Sequence, residues 1–145
     1  PPAADAAALR KLALWCVRYG PLVAVWDETA DEISHETGGA DGLFIDITGA
    51  AHLAGGEAAL LADLGRRLAA FGLSPRLAVA DTAGAAWALA RYGRGERIIV
   101  PSGGEEAALA ALPLAGLRLP VHALSLMRRL GLRRIGALIG QPRAP

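Results

Sequence analysis

In the stretch "GEAALLADLGRRLAAFG", residues 56 to 72, Leu60, Leu61, Leu64 and Leu68 recur at intervals of three and four, with Arg66 and Arg67 off that stripe. A helix that is apolar on one side must be covered by a second layer. Candidates for that layer flank it. Short, largely apolar runs occur at "PLVAVW" (21 to 26, entered through Pro21), "GLFIDIT" (42 to 48), "LSPRLAVAD" (73 to 81) and "ERIIVP" (96 to 101). In the second of these, Leu43, Ile45 and Ile47 alternate with Phe44, Asp46 and Thr48, which is a strand's period.

Further helical segments separate the runs. Residues 5 to 20, "DAAALRKLALWCVRYG", place Leu9, Leu12, Trp15 and Cys16 at helical spacing, with Gly20 as a stop. "TAGAAWALARYG" (82 to 93) is a small-residue helix capped by Thr82, or by Asp81 one position earlier. "GGEEAALAALPLAGL" opens a helix at an acid-rich turn, and Pro113 interrupts it. The order is helix, strand, strand, helix, strand, helix, strand, then helices. It predicts an α+β fold in which a sheet carries helices on one face.

At 145 residues the chain is the size of one domain. No apolar run reaches the roughly 18 residues of a membrane span, which predicts a soluble protein. The single cysteine, Cys16, lies in the apolar "LALWCVRY", so a disulfide framework is excluded and a reducing, cytoplasmic setting is expected. The only methionine is Met127, so the chain reads as an excerpt of a longer protein.

A net charge of +1 conceals an asymmetry. All 14 acids lie in residues 1 to 106, where Lys11 and eight arginines leave a net −5. Residues 107 to 145 hold no acid and six arginines: Arg118, Arg128, Arg129, Arg133, Arg134 and Arg143. A basic end of this kind suits phosphate contact. Its sequence, "LPVHALSLMRRLGLRRIGALIGQPR", has an apolar stripe of Leu124, Leu126, Met127 and Leu130, then Gly131 as a helix stop. Ile135, Leu138 and Ile139 begin a second helix after a very short connection. A helix, a tight turn and a helix expose backbone N–H groups where a phosphate oxygen can be held.

Other polar groups read as structural. Asp27, Glu28, Asp31, Glu32 and Glu36 surround His35 in a long connection without metal-ligand spacing, so a solvated loop is expected. His52 and His122 have no nucleophile or carboxylate at a telling spacing. Trp15, Trp26 and Trp87 sit within apolar segments, as packing residues do.

Three ordered segments resemble the Y-family translesion DNA polymerases, and within them the non-catalytic, ImuB-like branch. The family pattern S-x-D-E-A-Y-L-D-x-T is similar to "GADGLFIDIT", preceded here by "RYGPLVAV". The family's G-L-x-x-S-x-G-I-A-x-N-K-x-L-A-K has its counterpart in "FGLSPRLAVADTAGAAWALARYG". "LMRRLGLRRIGALIGQP" is similar to the helix-hairpin-helix of the polymerase thumb.

The resemblance implies a ferredoxin-like palm over residues 1 to 112, without its first strand and most or all of the fingers. It implies a thumb start with a helix-hairpin-helix over 113 to 145. It places Asp41 at a metal-binding aspartate and Gly42 at the adjacent glutamate. Two-metal nucleotidyl transfer needs several carboxylates, and glycine offers no ligand. The family's basic positions fall on Ala83 and Trp87, so both charges are gone. Asp46 matches a structural acid. No intact catalytic or metal site is therefore expected, Asp41 and Gly42 being vestigial, and no cofactor, with Mg²⁺ relevant only if the chain were an active polymerase.

DNA contact is expected at Arg128, Arg129, Arg133, Arg134, Gly131 and Gly136. By resemblance the partners are DNA, an error-prone replicative-type polymerase, a RecA-like ImuA-type protein and the sliding clamp, at the bacterial nucleoid. An active translesion polymerase and a generic helix-hairpin-helix DNA-binding module are the alternative readings.

Overall fold

The computed structural model describes residues 2–27, 40–139 and 141. The acid-rich stretch 28–36, with His35, lies outside the described residues, as does Arg143. The chain packs as two compact units, Pro1–Leu60 and Leu61–Pro145.

The first unit holds helix α1 (Pro2–Cys16), strands β1 (Leu22–Asp27) and β2 (Ala40–Asp46), and a 3₁₀ turn at Ala51–Ala54. β1 and β2 pair antiparallel, with Leu22 opposite Asp46, Ala24 opposite Phe44 and Trp26 opposite Gly42. The pairing slips between Trp26 and Asp27. By the two-residue period, Val23, Val25, Leu43 and Ile45 share one face, and Leu22, Ala24, Trp26, Phe44 and Asp46 share the other. Trp26 and Phe44 meet edge to face with centroids 5.7 Å apart.

α1 packs on both strands. Its last residue, Cys16, is 1% exposed, and burial raises the pKa of the thiol, with Arg18 opposing the shift. Tyr19 N–H and Gly20 N–H then donate to the carbonyls of Cys16 and Val17, closing the helix end. Gly20 is required here by close approach. A Cβ at this position would lie 2.1 Å from the carbonyl oxygen of Asp46.

Helix α2 (Glu57–Ala70) buries Leu60, Leu61, Leu64 and Leu68, the stripe read from the sequence. In the second unit, β3 (Leu77–Val79) and β4 (Arg97–Ile99) form a parallel pair joined through α3 (Ala83–Tyr92). Thr82 caps α3: its hydroxyl accepts from Ala85 N–H at 3.3 Å. Asp81, the other candidate, instead accepts from Ser102 Oγ at 2.8 Å and Gly103 N–H at 3.1 Å. At the far end, the guanidinium of Arg76 donates to the carbonyls of Ala90 and Gly93, satisfying acceptors that a helix terminus leaves open.

The chain continues through α4 (Glu105–Ala110), a 3₁₀ turn at Leu114–Leu117, α5 (Val121–Arg129) and a 3₁₀ turn at Ile135–Ala137. Ala88, Leu89, Val100, Leu112 and Ile135 form one buried cluster of the core, with Trp87, Tyr92, Ile98 and Leu109 packed against it.

The α+β class and the element order match the sequence reading. Two features differ from it. The four described strands form two separate two-stranded sheets, one antiparallel and one parallel. Apolar alternation identifies strands but not their partners, and β3 and β4, three residues each, pair across a helical crossover. The helix expected from Ile135 is a single 3₁₀ turn among the described residues. Ala137 N–H reaches Arg134 and Leu138 N–H reaches Ile135, each i to i−3, and Gly136 at its centre disfavours α-helix. No helix among the described residues is long and apolar enough to cross a membrane.

Replacing Gly20 by Ala is expected to destabilise the first unit by about 1–3 kcal/mol, since the clash is with backbone and cannot be relieved by a rotamer change. A urea titration followed by tryptophan fluorescence measures this.

Candidate nucleic-acid interface

The two packing units divide the charge more sharply than the linear reading does. Pro1–Leu60 carries nine acids against three basic side chains, a net −6, and Leu61–Pro145 carries twelve arginines against five acids, a net +7. The positive field of the chain is therefore concentrated in the second unit.

Within it, α5 ends in Arg128 and Arg129, cations at the negative end of the helix dipole. Its termination is a Schellman motif. Leu132 N–H donates to Met127 O and Gly131 N–H to Arg128 O, both at 3.0 Å, and Gly131 takes the left-handed conformation at φ +83°. The reversal sends residues 133–135 back along 112–114. Pro113 and Arg134 form an antiparallel bridge, and Ile135 N–H donates to Leu112 O at 2.9 Å. Ile135 enters the core at 4% exposure.

This path separates the roles of the four arginines. Arg128, Arg129 and Arg133 are exposed. Arg134 is also solvent-accessible, but its guanidinium donates to the carbonyl of Ala111 just past α4, so it holds the return segment in place. Gly136 has a packing reason as well: a Cβ there would lie 2.9 Å from Ala110 O and 3.1 Å from Ala110 Cβ.

A second basic locus escaped the sequence reading. The guanidinium carbons of Arg91 and Arg118 lie 5.7 and 5.6 Å from the ring centroid of Trp87, and Tyr92 meets the same ring edge to face at 6.0 Å. Trp87 and Arg91 are four residues apart on α3, a spacing that could have been noticed. Arg118 is brought in from the 3₁₀ turn after Pro113, which only tertiary packing decides.

In the first unit, Asp41 and Gly42 sit on β2, with Gly42 across from Trp26. A Cβ at Gly42 would meet Trp26 Cβ at 3.7 Å, ordinary contact, so the backbone would accept a larger residue. Asp46 Oδ1 accepts from Thr48 N–H at 2.9 Å. Hydrogen bonding from the Thr48 side chain and then its backbone holds the Asp46 carboxyl below the usual carboxylate range. Among the described residues, no three His, Cys, Asp or Glu gather where a metal ion could bind. His52 and His122 are exposed.

Trp15 meets Tyr19 at 5.8 Å under the guanidinium of Arg18 at 4.2 Å. All three tryptophans thus pack against another aromatic ring.

No family model matches the chain. No solved structure matches it significantly. Among curated proteins, it is 52% identical over 143 residues to Protein ImuB of Caulobacter vibrioides strain NA1000 / CB15N, and equally to that of strain ATCC 19089 / CIP 103742 / CB 15. The match takes in 99% of this chain and 28% of the relative, so the chain spans little more than a quarter of the curated proteins it resembles.

Gly136→Val is expected to cost about 1–3 kcal/mol by overpacking against Ala110, read as a lowered urea midpoint. The Asp46 carboxyl should titrate below its unfolded value of about 3.9, so its stabilising contribution is complete above that pH and is lost as pH falls through the folded pKa. Side-chain carboxyl NMR checks this, with Thr48→Ala expected to move the Asp46 titration upward.

Proposed function

Since the chain is ImuB-like in sequence over nearly its whole length, we propose that it is part of a non-catalytic Y-family polymerase homologue that acts as a DNA-binding adaptor in damage-induced mutagenesis and translesion synthesis. The observation that carries this reading is the pairing of the relationship with the second unit's charge, a net +7 with Arg128, Arg129 and Arg133 exposed around a helix reversal. Such a surface neutralises phosphates without reading sequence. In this reading residues 1–112 correspond to the palm and 113–145 to the start of the thumb. Gly131 sets the reversal that presents the arginines, and Gly136 allows the chain to pack closely behind it.

The absence of nucleotidyl transfer is part of the same proposal. Gly42 occupies the position of a metal-binding glutamate, and Ala83 and Trp87 occupy those of two basic residues. Two-metal chemistry depends on a full carboxylate set to hold the ions and neutralise the leaving group. Asp41 remains as one exposed carboxylate on β2. Mg²⁺ would matter only for an active polymerase.

The partners of the full-length protein are, in this proposal, DNA, an error-prone replicative-type polymerase, a RecA-like ImuA-type protein and the sliding clamp. Its expected location is the bacterial cytoplasm, at the nucleoid.

The full-length protein is expected to bind primed DNA and to show no Mg²⁺-dependent nucleotide incorporation on it. Arg128→Ala/Arg129→Ala/Arg133→Ala should weaken binding and reduce the slope of log affinity against log salt by about 0.7–0.9 for each phosphate that is no longer neutralised. Arg134 is left intact in this test because its replacement would also release Ala111. Incorporation that disappears on Asp41→Ala would overturn the non-catalytic reading, and an unchanged affinity and salt slope would overturn the assignment of the α5 face.

A further inference from the structure

The apolar stripe of α5 is divided by the fold. Leu124 and Met127 are half-buried, whereas Leu126 is 59% exposed and Leu130 is 69% exposed. No residue of α5 is fully buried. Leu130 N–H donates to Leu126 O at 3.1 Å, so the helical spiral continues to residue 130 and the two leucines stand one turn apart on one side. Single exposed leucines are ordinary on a protein surface. Two stacked along one helix make an apolar ridge, and a ridge rimmed by polar groups marks a place where another molecule binds.

Arginines border this ridge. Arg129 is three residues from Leu126 and so neighbours it on the helix surface, and Arg128 and Arg129 are both exposed. Residues 107–145 contain no acid, so no carboxylate of this segment offsets them. Three kinds of occupant differ in what they satisfy. A second copy of α5 would cover the leucines but would set arginine against arginine, in units of net charge +7. A DNA backbone would pair with the arginines and leave the leucines in water. An acidic amphipathic helix answers both needs, because its apolar stripe covers Leu126 and Leu130 while its carboxylates meet the guanidinium forks. Arginine beside an apolar centre is also the composition that protein–protein interfaces favour.

We propose that the Leu126–Leu130 ridge is a docking site for an acidic amphipathic helix of a partner protein, and that its occupation displaces DNA from Arg128 and Arg129. The docking follows from α5 itself, and the displacement rests on the adaptor reading. One helix then exchanges DNA for a partner, since the same two guanidinium groups are needed by both.

The test uses the full-length protein, a fluorescently labelled primer–template and a separately labelled synthetic helical peptide with leucines at three- and four-residue intervals and glutamate elsewhere. Peptide and DNA binding are read by anisotropy, singly and in competition, with thermal melting and sedimentation of the same samples. Wild-type protein should bind the peptide with an affinity that falls as salt is raised, and the peptide should weaken DNA binding. A peptide whose leucines are replaced by glutamine should do neither. Leu126→Ser/Leu130→Ser should weaken peptide binding roughly tenfold or more, with DNA affinity, salt slope and melting temperature unchanged, since both side chains already face water. Arg128→Ala/Arg129→Ala should weaken the binding of peptide and DNA alike.

Peptide binding that ignores Leu126→Ser/Leu130→Ser, or equal binding of the glutamine peptide, would overturn the docking site. Loss of DNA affinity in the same variant at an unchanged melting temperature would assign the leucines to DNA, as an apolar wedge between bases, and would overturn it as well. So would a wild-type dimer that the leucine changes dissociate, which would give the ridge to a second copy, or a melting temperature that falls with peptide affinity, which would mark the leucines as structural. Simultaneous binding of peptide and DNA without competition would overturn the displacement. A wild-type protein that binds the peptide but not DNA would overturn the adaptor reading and leave the docking site standing.

Discussion

The basic end of this chain is held in place by one apolar side chain. Ile135 is buried with Ala88, Leu89, Val100 and Leu112, next to the exposed Arg133 and Arg134. Burying such a side chain contributes about 1.5–3 kcal/mol, comparable to several exposed ion pairs together. Its position fixes the rest. The bond from Ile135 N–H to Leu112 O and the bridge between Pro113 and Arg134 follow from the same return path. So does the reversal at Gly131, because a helix ending at Arg129 can reach the core at residue 135 only by turning sharply. An arginine-rich segment without that anchor would be a charged tail. With it, the arginines have defined places.

Close backbone approach is the second theme. Gly20 against Asp46, Gly116 against Ala88 and Gly136 against Ala110 are positions where a side chain would meet a neighbouring element. The last two set the surface of the basic unit. Gly116 lets the 3₁₀ turn carrying Arg118 reach α3, and Gly136 lets the segment after Arg134 lie against α4. Hydrogen bonds from arginine side chains complete this arrangement: Arg76 closes α3 and Arg134 closes α4. Part of the positive charge of the unit is thus used as structure, while Arg128, Arg129 and Arg133 face solvent. Counting arginines cannot make that distinction, whereas tracing what each guanidinium touches does.

The opposite charges of the two units, −6 and +7, bear on function through long-range fields. A chain whose total is +1 would attract DNA weakly if its charges were mixed evenly. Segregation gives the second unit a positive field while the total charge of the chain stays near neutrality. In the acidic unit, the strand carrying Asp41 and Gly42 pairs with β1 through Trp26 and is fastened by the Trp26–Phe44 contact. Strand packing here depends on the alternation of apolar side chains and on the edge-to-face ring pair, and Gly42 leaves both in place.

Local chemistry determined much of the architecture. The leucine stripe of α2, the alternation in β2, the small-residue helix α3 and the stop at Gly131 each depend on neighbours within a few residues, so periodicity alone located them. The choice between Thr82 and Asp81 as cap was not local: Ser102 and Gly103, twenty-odd residues away, engage Asp81 and leave Thr82 to α3. Strand pairing into two small sheets, the 3₁₀ turn where a helix was expected, the structural role of Arg134 and the meeting of Arg91 and Arg118 at Trp87 were likewise decided by tertiary structure. Sequence spacing records which residues share a face of one element. Which elements meet, and therefore which charges converge, depends on burial of side chains far apart in the chain, and that is settled only when the core closes.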